Sequence, residues 1–353
     1  MKITPVRNIR AVILSCIFLL AAPLFAREST DVIIMKNGDR LTGEIKGLNA
    51  GVLYMSMKYI LGTSSVQWSD VVRLESKQLF LVKTEDGSVY TGTLNTTDTP
   101  SGRPMEIAVA ERSGKEVLNS ARIVEMDTTS SKFLHRFNGN INTGTIYSKG
   151  NQSTQYSLGS QVNYPRERWA AEASFNSTLS SSTGATASTR NQVDVDAFRL
   201  LRWDNWFYEG LGSFLQSSEQ GIVRQTTFGG GVGRYLKNSN AARVSVVGGF
   251  VGQNTIYQQN IVSQNLGSGL IAANLQFFRF NKTNGSLQAT LMPVVSEPGR
   301  VKFNMNASYY IKLTGNLSWN TSFYGNWDNR PPNGLSGSDY GSSSGLSWTF
   351  GNK

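Results

Sequence analysis

The chain has 353 residues, 39% of them apolar and 16% charged, with a formal net charge of +10, one cysteine and one histidine. A single thiol excludes a disulfide framework, and a single histidine excludes a zinc site built on histidines. Lys and Arg are scattered and form no basic stripe, so nucleic acid is not an expected partner.

Lys2, Arg7 and Arg10 precede an apolar run from Ala11 to Leu20 and a small-residue exit at Ala21, Ala22 and Ala26. Residues 1–26 therefore read as a secretory signal peptide cut after Ala26. Cys16 would leave with that segment. A lipid anchor on Cys16, within Ile13-Leu14-Ser15-Cys16, is the alternative, opposed by the apolar run continuing past it. Loss of Lys2, Arg7 and Arg10 lowers the net charge to +7 (10 minus 3), a mild basicity suited to anionic lipid headgroups and lipopolysaccharide phosphates. No later window holds 20 apolar residues, so no spanning helix is expected, although strands with alternating apolar residues remain able to cross a membrane.

Residues 31–127 contain an internal repeat. Asn37-Gly38-Asp39-Arg40-Leu41-Thr42-Gly43-Glu44-Ile45 is echoed by Asp86-Gly87-Ser88-Val89-Tyr90-Thr91-Gly92-Thr93-Leu94, an offset of 49 at both glycines. Asn-Gly and Asp-Gly predict hairpins with type I′ turns, and each repeat closes on an apolar strand, Val71 to Leu74 and Ile123 to Met126. Two small SH3-like or Sm-like β-modules, residues 27–78 and 79–130, are expected. Neither buries much core alone, so they should pack together.

From residue 131 to 353 the composition shifts to Gly, Asn, Ser, Thr, Tyr and Trp, and alternating segments recur. Twelve strands are expected: Phe137 to Tyr147, Thr154 to Tyr164, Trp169 to Ser177, Gln192 to Leu201, Trp206 to Phe214, Gln225 to Tyr235, Arg243 to Val251, Gly269 to Phe280, Leu287 to Val294, Val301 to Leu313, Leu317 to Trp327 and Tyr340 to Phe350. Val301 to Leu313 shows the pattern: Val301, Phe303, Met305, Ala307, Tyr309, Ile311 and Leu313 share one parity, Lys302, Asn304, Asn306, Ser308, Tyr310 and Lys312 the other. Even-numbered connections are short. The long polar ones, Ser180 to Thr189, Gly252 to Asn265 and Asp328 to Gly337, all fall at odd positions, as in a membrane barrel with short periplasmic turns. The expected fold is all-β: a transmembrane antiparallel up-and-down barrel of about 12 strands behind the tandem modules.

Glu172, Asp194, Asp196, Arg243, Lys302, Lys312 and Tyr324 should face the lumen, the acids pairing with the bases across it. Tyr164, Trp169, Trp203, Trp206, Tyr235, Trp319, Trp327, Trp348 and Phe350 lie near turns, where rings would sit at the membrane interface. Gly229 to Gly233 lies in an alternating strand with no helix after it, so it reads as a bend and not as a phosphate cradle. His135, before the first barrel strand, is the only histidine a hydrolytic triad could use, and it reads as a rim residue.

Phe137-Asn138-Gly139-Asn140-Ile141-Asn142-Thr143-Gly144 with Lys149-Gly150-Asn151, then Trp206-Phe207-Tyr208 and Gly229-Gly230-Gly231-Val232-Gly233-Arg234-Tyr235, resembles the salt-induced outer-membrane protein family over residues 133 to 350. The Asn37 to Gly43 stretch resembles the leader domain of its longer members. This resemblance implies an outer-membrane barrel and assigns no catalytic residues. One departure is Gly351-Asn352-Lys353, which extends past the alternating Leu346, Trp348 and Phe350.

The expected function is a narrow or partly plugged outer-membrane pore without cofactor or catalysis, with a periplasmic domain for interaction or anchoring; the resemblance alone implies a link to envelope or osmotic adaptation. Its partners would be outer-membrane lipids, lipopolysaccharide, the outer-membrane assembly machinery and periplasmic chaperones. A non-conducting structural or adhesive protein and a lipid hydrolase using His135 are the alternatives.

Overall fold

The computed structural model describes residues 30–97, 105–110, 114–130, 132–149, 153–184, 186–201, 204–218, 221–258, 263–280, 282–314, 317–331 and 337–348. The signal-peptide reading, Cys16, Trp203 and Phe350 lie outside these residues. Among them all regular structure is β apart from three 3-10 turns, and no helix is long and apolar enough to cross a membrane.

The first unit holds β1 (Asp31–Met35), β2 (Arg40–Asn49), β3 (Val52–Ser56), β4 (Thr63–Gln67), β5 (Val71–Thr84), β6 (Val89–Thr96), β7 (Glu106–Ala110), β8 (Lys115–Asn119) and β9 (Ile123–Thr128). The sequence repeat is a structural one. Ile33 pairs with Leu41 in β1 and β2, and their counterparts Val82 and Tyr90 pair in β5 and β6. β5 runs unbroken across residues 78 and 79: its first half pairs with β1 and its second with β9, while β2 pairs with β9. Strands β1, β2, β9 and β5 thus close a small four-stranded barrel drawn from both repeats, with β3–β4 and β6–β8 as extensions. Ile33, Ile45 and Leu74 meet Phe80, Leu94 and Met126 in one core, all essentially solvent-free. Each such side chain contributes roughly 1.5–3 kcal/mol on burial. Sharing strands lets two repeats too short for separate cores build one.

The hairpin turns differ from expectation. Gly38 and Gly87 have φ of +88° and +84°, but Asn37 and Asp86 are not among the positive-φ residues. The turns are therefore not type I′, which needs positive φ at both centres; a single left-handed glycine matches the three-residue loop with a bulge. Their side chains explain the preference, since Asn37 Oδ1 accepts the Asp39 N–H (3.1 Å) and Asp86 Oδ1 the Ser88 N–H (3.1 Å).

The second unit is one antiparallel sheet of twelve strands in sequential order: β10 (Asn138–Ser148), β11 (Ser153–Pro165), β12 (Trp169–Ser181), β13 (Ser188–Leu200), β14 (Trp206–Ser217), β15 (Ile222–Asn238), β16 (Ala242–Tyr257), β17 (Gln264–Arg279), β18 (Thr283–Val294), β19 (Arg300–Thr314), β20 (Leu317–Asp328) and β21 (Ser338–Trp348). All twelve expected strands are present in up-and-down order. One end carries connections 166–168, 201–205, 239–241, 280–282 and 315–316; the other carries 149–152, 182–187, 218–221, 258–263, 295–299 and 329–337. Several strands run further toward the second end than expected, because polar residues there continue the ladder: Gln253 still pairs with Leu266 and Asn254 with Asn265. Strands β10 and β21 are the ends of the sheet and share no ladder among the described residues.

β15 and β16 approach each other closely where glycines face glycines. Gly231 and Gly249 oppose each other on β15 and β16. A Cβ on Gly231 would lie 2.6 Å from the Gly248 carbonyl oxygen, and one on Gly249 would overlap the Gly230 carbonyl. Glycine on this face lets the two backbones bend together.

Candidate functional site

Register carries one parity through all twelve strands. Starting from Asp194, the ladder links Ser213, Thr227, Gln253 and Leu266 in turn, with Ser268 two residues along the same strand, and Ser174 and Gln161 the other way. Continued through β18–β20, the same face takes in Gln288, Asn306 and Tyr324. Every expected lumen residue, namely Glu172, Asp194, Asp196, Arg243, Lys302, Lys312 and Tyr324, falls on this one polar face. The opposite face carries Ile141, Tyr156, Val195, Phe228, Phe250, Ile271, Phe303, Phe323 and Leu346, most of them exposed.

Aromatic residues gather at the edges of the apolar face. Tyr164, Trp169, Trp206, Trp319 and Trp348 lie at the short-turn end and Trp327 at the other. Tyr164 stacks with Phe137 (ring centroids 4.6 Å apart) and Trp169 (5.4 Å), and the Arg234 guanidinium sits 5.7 Å from the Trp206 ring centre. Tyr235 departs from this group. It pairs with Ser245 and lies on the polar face, its ring 5.0 Å from Phe207. The run of glycines before it removes the alternation that would have revealed its parity.

The expected charge pairing also needs correction. Arg243 makes its ion pair with Glu125 of the first unit, not with Glu172, Asp194 or Asp196, and Lys302 and Lys312 make none among the described residues. Asp194 is held instead by neutral donors, Ser213 Oγ at 2.6 Å and Gln192 Nε2 at 2.9 Å, and Glu172 accepts from Gln161. Strand neighbours are within reach of these carboxylates, whereas the bases stand several strands away. Sequence reading missed Arg300, which is buried between Glu297 (2.9 Å) and Asp328 (2.7 Å) and ties a long-loop connection to β20.

At the short-turn end the polar face becomes apolar and meets the first unit. Val89 of β6 packs into a cluster with Leu200, Phe207 and Val247, flanked by Phe198, Tyr235 and Ala272. Two turns of the sheet reach the small barrel: Asn205 Nδ2 donates to the Glu85 carbonyl (2.9 Å) and Asn240 Nδ2 to that of Ile123 (2.8 Å). Gly87 must be glycine for this contact, because its φ is +84° and a Cβ would lie 2.8 Å from Asn205 Oδ1. Beside the cluster, Glu125 bridges Lys83 Nζ (2.5 Å) and Arg243 Nη2 (3.4 Å), with Asp127 3.8 Å from Lys83. Burial opposes ionisation of Glu125, but Lys83 and Arg243 outweigh it and hold the carboxyl down at about 2. Burial and the adjacent Glu125 push Asp127 up to about 7. His135 is exposed on the 3-10 turn Leu134–Arg136 between the units. Among the described residues no group of His, Cys, Asp and Glu could hold a metal ion.

A twelve-stranded sheet with one polar and one apolar face, joined to a small β-barrel, defines the class of this protein. The chain belongs to the family described as protein of unknown function, DUF481, whose match spans residues 141–350 and so covers the sheet from β10 onward. No curated protein matches the chain.

Proposed function

We propose that the chain is an outer-membrane β-barrel protein, its twelve strands closed around the polar face as a narrow pore, with the small barrel on the periplasmic side. The observation carrying this is a single register through twelve strands that keeps the large exposed apolar side chains on one face and the acids, amides and lysines of the strand centres on the other. Phe228, Phe250 and Leu346 stand 67%, 74% and 71% exposed on the apolar face. Leaving each in water forgoes roughly 1–2 kcal/mol, and the sum over the face rivals a domain's whole stability of about 5–15 kcal/mol. A lipid core removes that cost, and rings at both edges suit the headgroup level. Closure would give every strand a partner, since lipid cannot satisfy the free edges of β10 and β21.

Outer-membrane lipids and lipopolysaccharide are the partners this surface fits, and assembly machinery and periplasmic chaperones would deliver it. No catalytic role or cofactor is proposed. A part in envelope or osmotic adaptation rests on the resemblance to the salt-induced outer-membrane proteins. One observation favours a second reading, a non-conducting structural or adhesive protein: the small barrel covers part of the short-turn end of the polar face. Purified full-length protein in planar bilayers separates the two. Single-channel steps are expected, and none under any condition would overturn the pore and leave the structural reading.

A further inference from the structure

The two repeats are used unequally, and the difference lies where they meet the sheet. Gly87, in the hairpin of the second repeat, is pressed against Asn205, whereas a Cβ on its counterpart Gly38 would meet nothing within 4 Å. Val89, two residues further on, is 8% exposed, yet it belongs to the cluster with Leu200, Phe207 and Val247 and not to the core of its own unit. Its burial is therefore supplied by the sheet. Those partners lie on the polar-face parity of β13, β14 and β16, so the first unit sits over the inner side of the sheet and not on its apolar side.

The charged contact lies beside the apolar one. Arg243 is on the polar face of β16 and Glu125 on β9, and their side chains are 20% and 22% exposed. The groups around this pair are Lys83 of β5, Asp127 of β9, Tyr235 of β15 and Glu209 of β14. Glu125 keeps Lys83 as a partner when Arg243 withdraws, so separating the units leaves the acid compensated. Arg243 would be released to solvent, where an arginine is readily hydrated. Such a contact can open without stranding a buried charge, unlike the pairs that lock a core.

We propose that the small barrel is a reversible stopper on the short-turn mouth of the pore, seated by Val89 on the Leu200, Phe207 and Val247 cluster and latched by the Glu125–Arg243 ion pair. This rests on the pore reading above. It makes the conducting state one in which the first unit has lifted or tilted away, with the loop-side entrance unaffected.

The test uses the full-length chain in planar bilayers, with seating read separately by a disulfide. Gly51→Cys with Asn240→Cys, on a Cys16→Ser background, should form a bond on mild oxidation, since Gly51 lies in the first unit and its Cβ position is 3.4 Å from Asn240 Cβ on the turn between β15 and β16. Arg243→Glu sets two acids against each other, and Val89→Asp destroys the apolar seat without entering the first unit's core. Each is expected to raise open probability about tenfold and to lower disulfide yield, whereas Arg243→Lys stays near wild type. The oxidised double-cysteine protein should be closed and should open on reduction. Equal conductance in wild type, both disruptive variants and the locked form would overturn the stopper and leave the pore standing. Silence of every variant, with Val89→Asp and Arg243→Glu losing the disulfide, would overturn the pore and the stopper together, and unchanged disulfide yield in both would overturn the seating.

Discussion

At the residue scale, the Glu125 and Asp127 pair gives the first unit a pH signature of known sign. Asp127 is raised from its ordinary 3.8 to about 7, so between these values the folded chain holds a proton that the unfolded chain releases. Its contribution is complete below about 4 and is lost as pH rises through about 7. Glu125 is lowered from 4.5 to about 2 and acts in the opposite direction, its contribution present above about 4.5 and lost as pH falls through about 2. The two values belong to the pair, because each carboxyl senses the other. Asp127→Asn should therefore flatten the fall in melting temperature between pH 4.5 and 7, followed by near-ultraviolet circular dichroism of the full chain. An unchanged slope would assign that fall to other groups. A second residue-scale expectation concerns the hairpin turns. Asp86→Ala removes the acceptor for Ser88 N–H and the partner of Arg122 (2.8 Å), and should cost roughly 0.5–2 kcal/mol in chemical denaturation.

At the element scale, strand boundaries show where sequence carries structural information and where it does not. Most short-turn ends were legible to within a residue or two, because Trp169, Trp206 and Leu317 directly follow turn residues; β15 and β18 are exceptions, reaching Asn238 and Thr283 where Tyr235 and Leu287 were expected. Loop-side ends were less so, since Gln253, Asn254 and Thr255 show no apolar alternation, although they continue the ladder and their side chains bond Thr227, Asn265 and Gln225 on the neighbouring strands. The same logic divides the site. Asp194, Asp196, Lys302 and Tyr324 sit in clean alternation and their face could be read; Tyr235 comes just after residues 229–233, four of which are glycine, and its face could not. Contacts between units were invisible, because Val89, Glu125 and Arg243 lie far apart in the chain and each is an ordinary strand residue in its own segment. The glycines that hid Tyr235 have their own role. Gly231→Val places side-chain atoms against the β16 backbone and should destabilise the sheet by roughly 1–3 kcal/mol, read as a lower temperature for loss of its compact form on gels. A shift upward would mean that β15 and β16 need no such close approach.

At the scale of the whole molecule, two β units are joined end to side, with the small barrel at the end where connections are short and the long connections at the other. That polarity agrees with a chain whose first unit stays in the periplasm while its loops face outward, and nothing in a soluble sandwich would keep such parity across twelve strands. Lipid coverage of the apolar face is the proposal on which the pore and the stopper both depend. Its most direct measurement is the gel mobility of the protein from fractionated envelopes, with and without heating before electrophoresis. Recovery in the outer-membrane fraction and faster migration of the unheated sample are expected, as a folded barrel resists detergent unfolding. Recovery as a soluble periplasmic protein with no heat-dependent shift would contradict it.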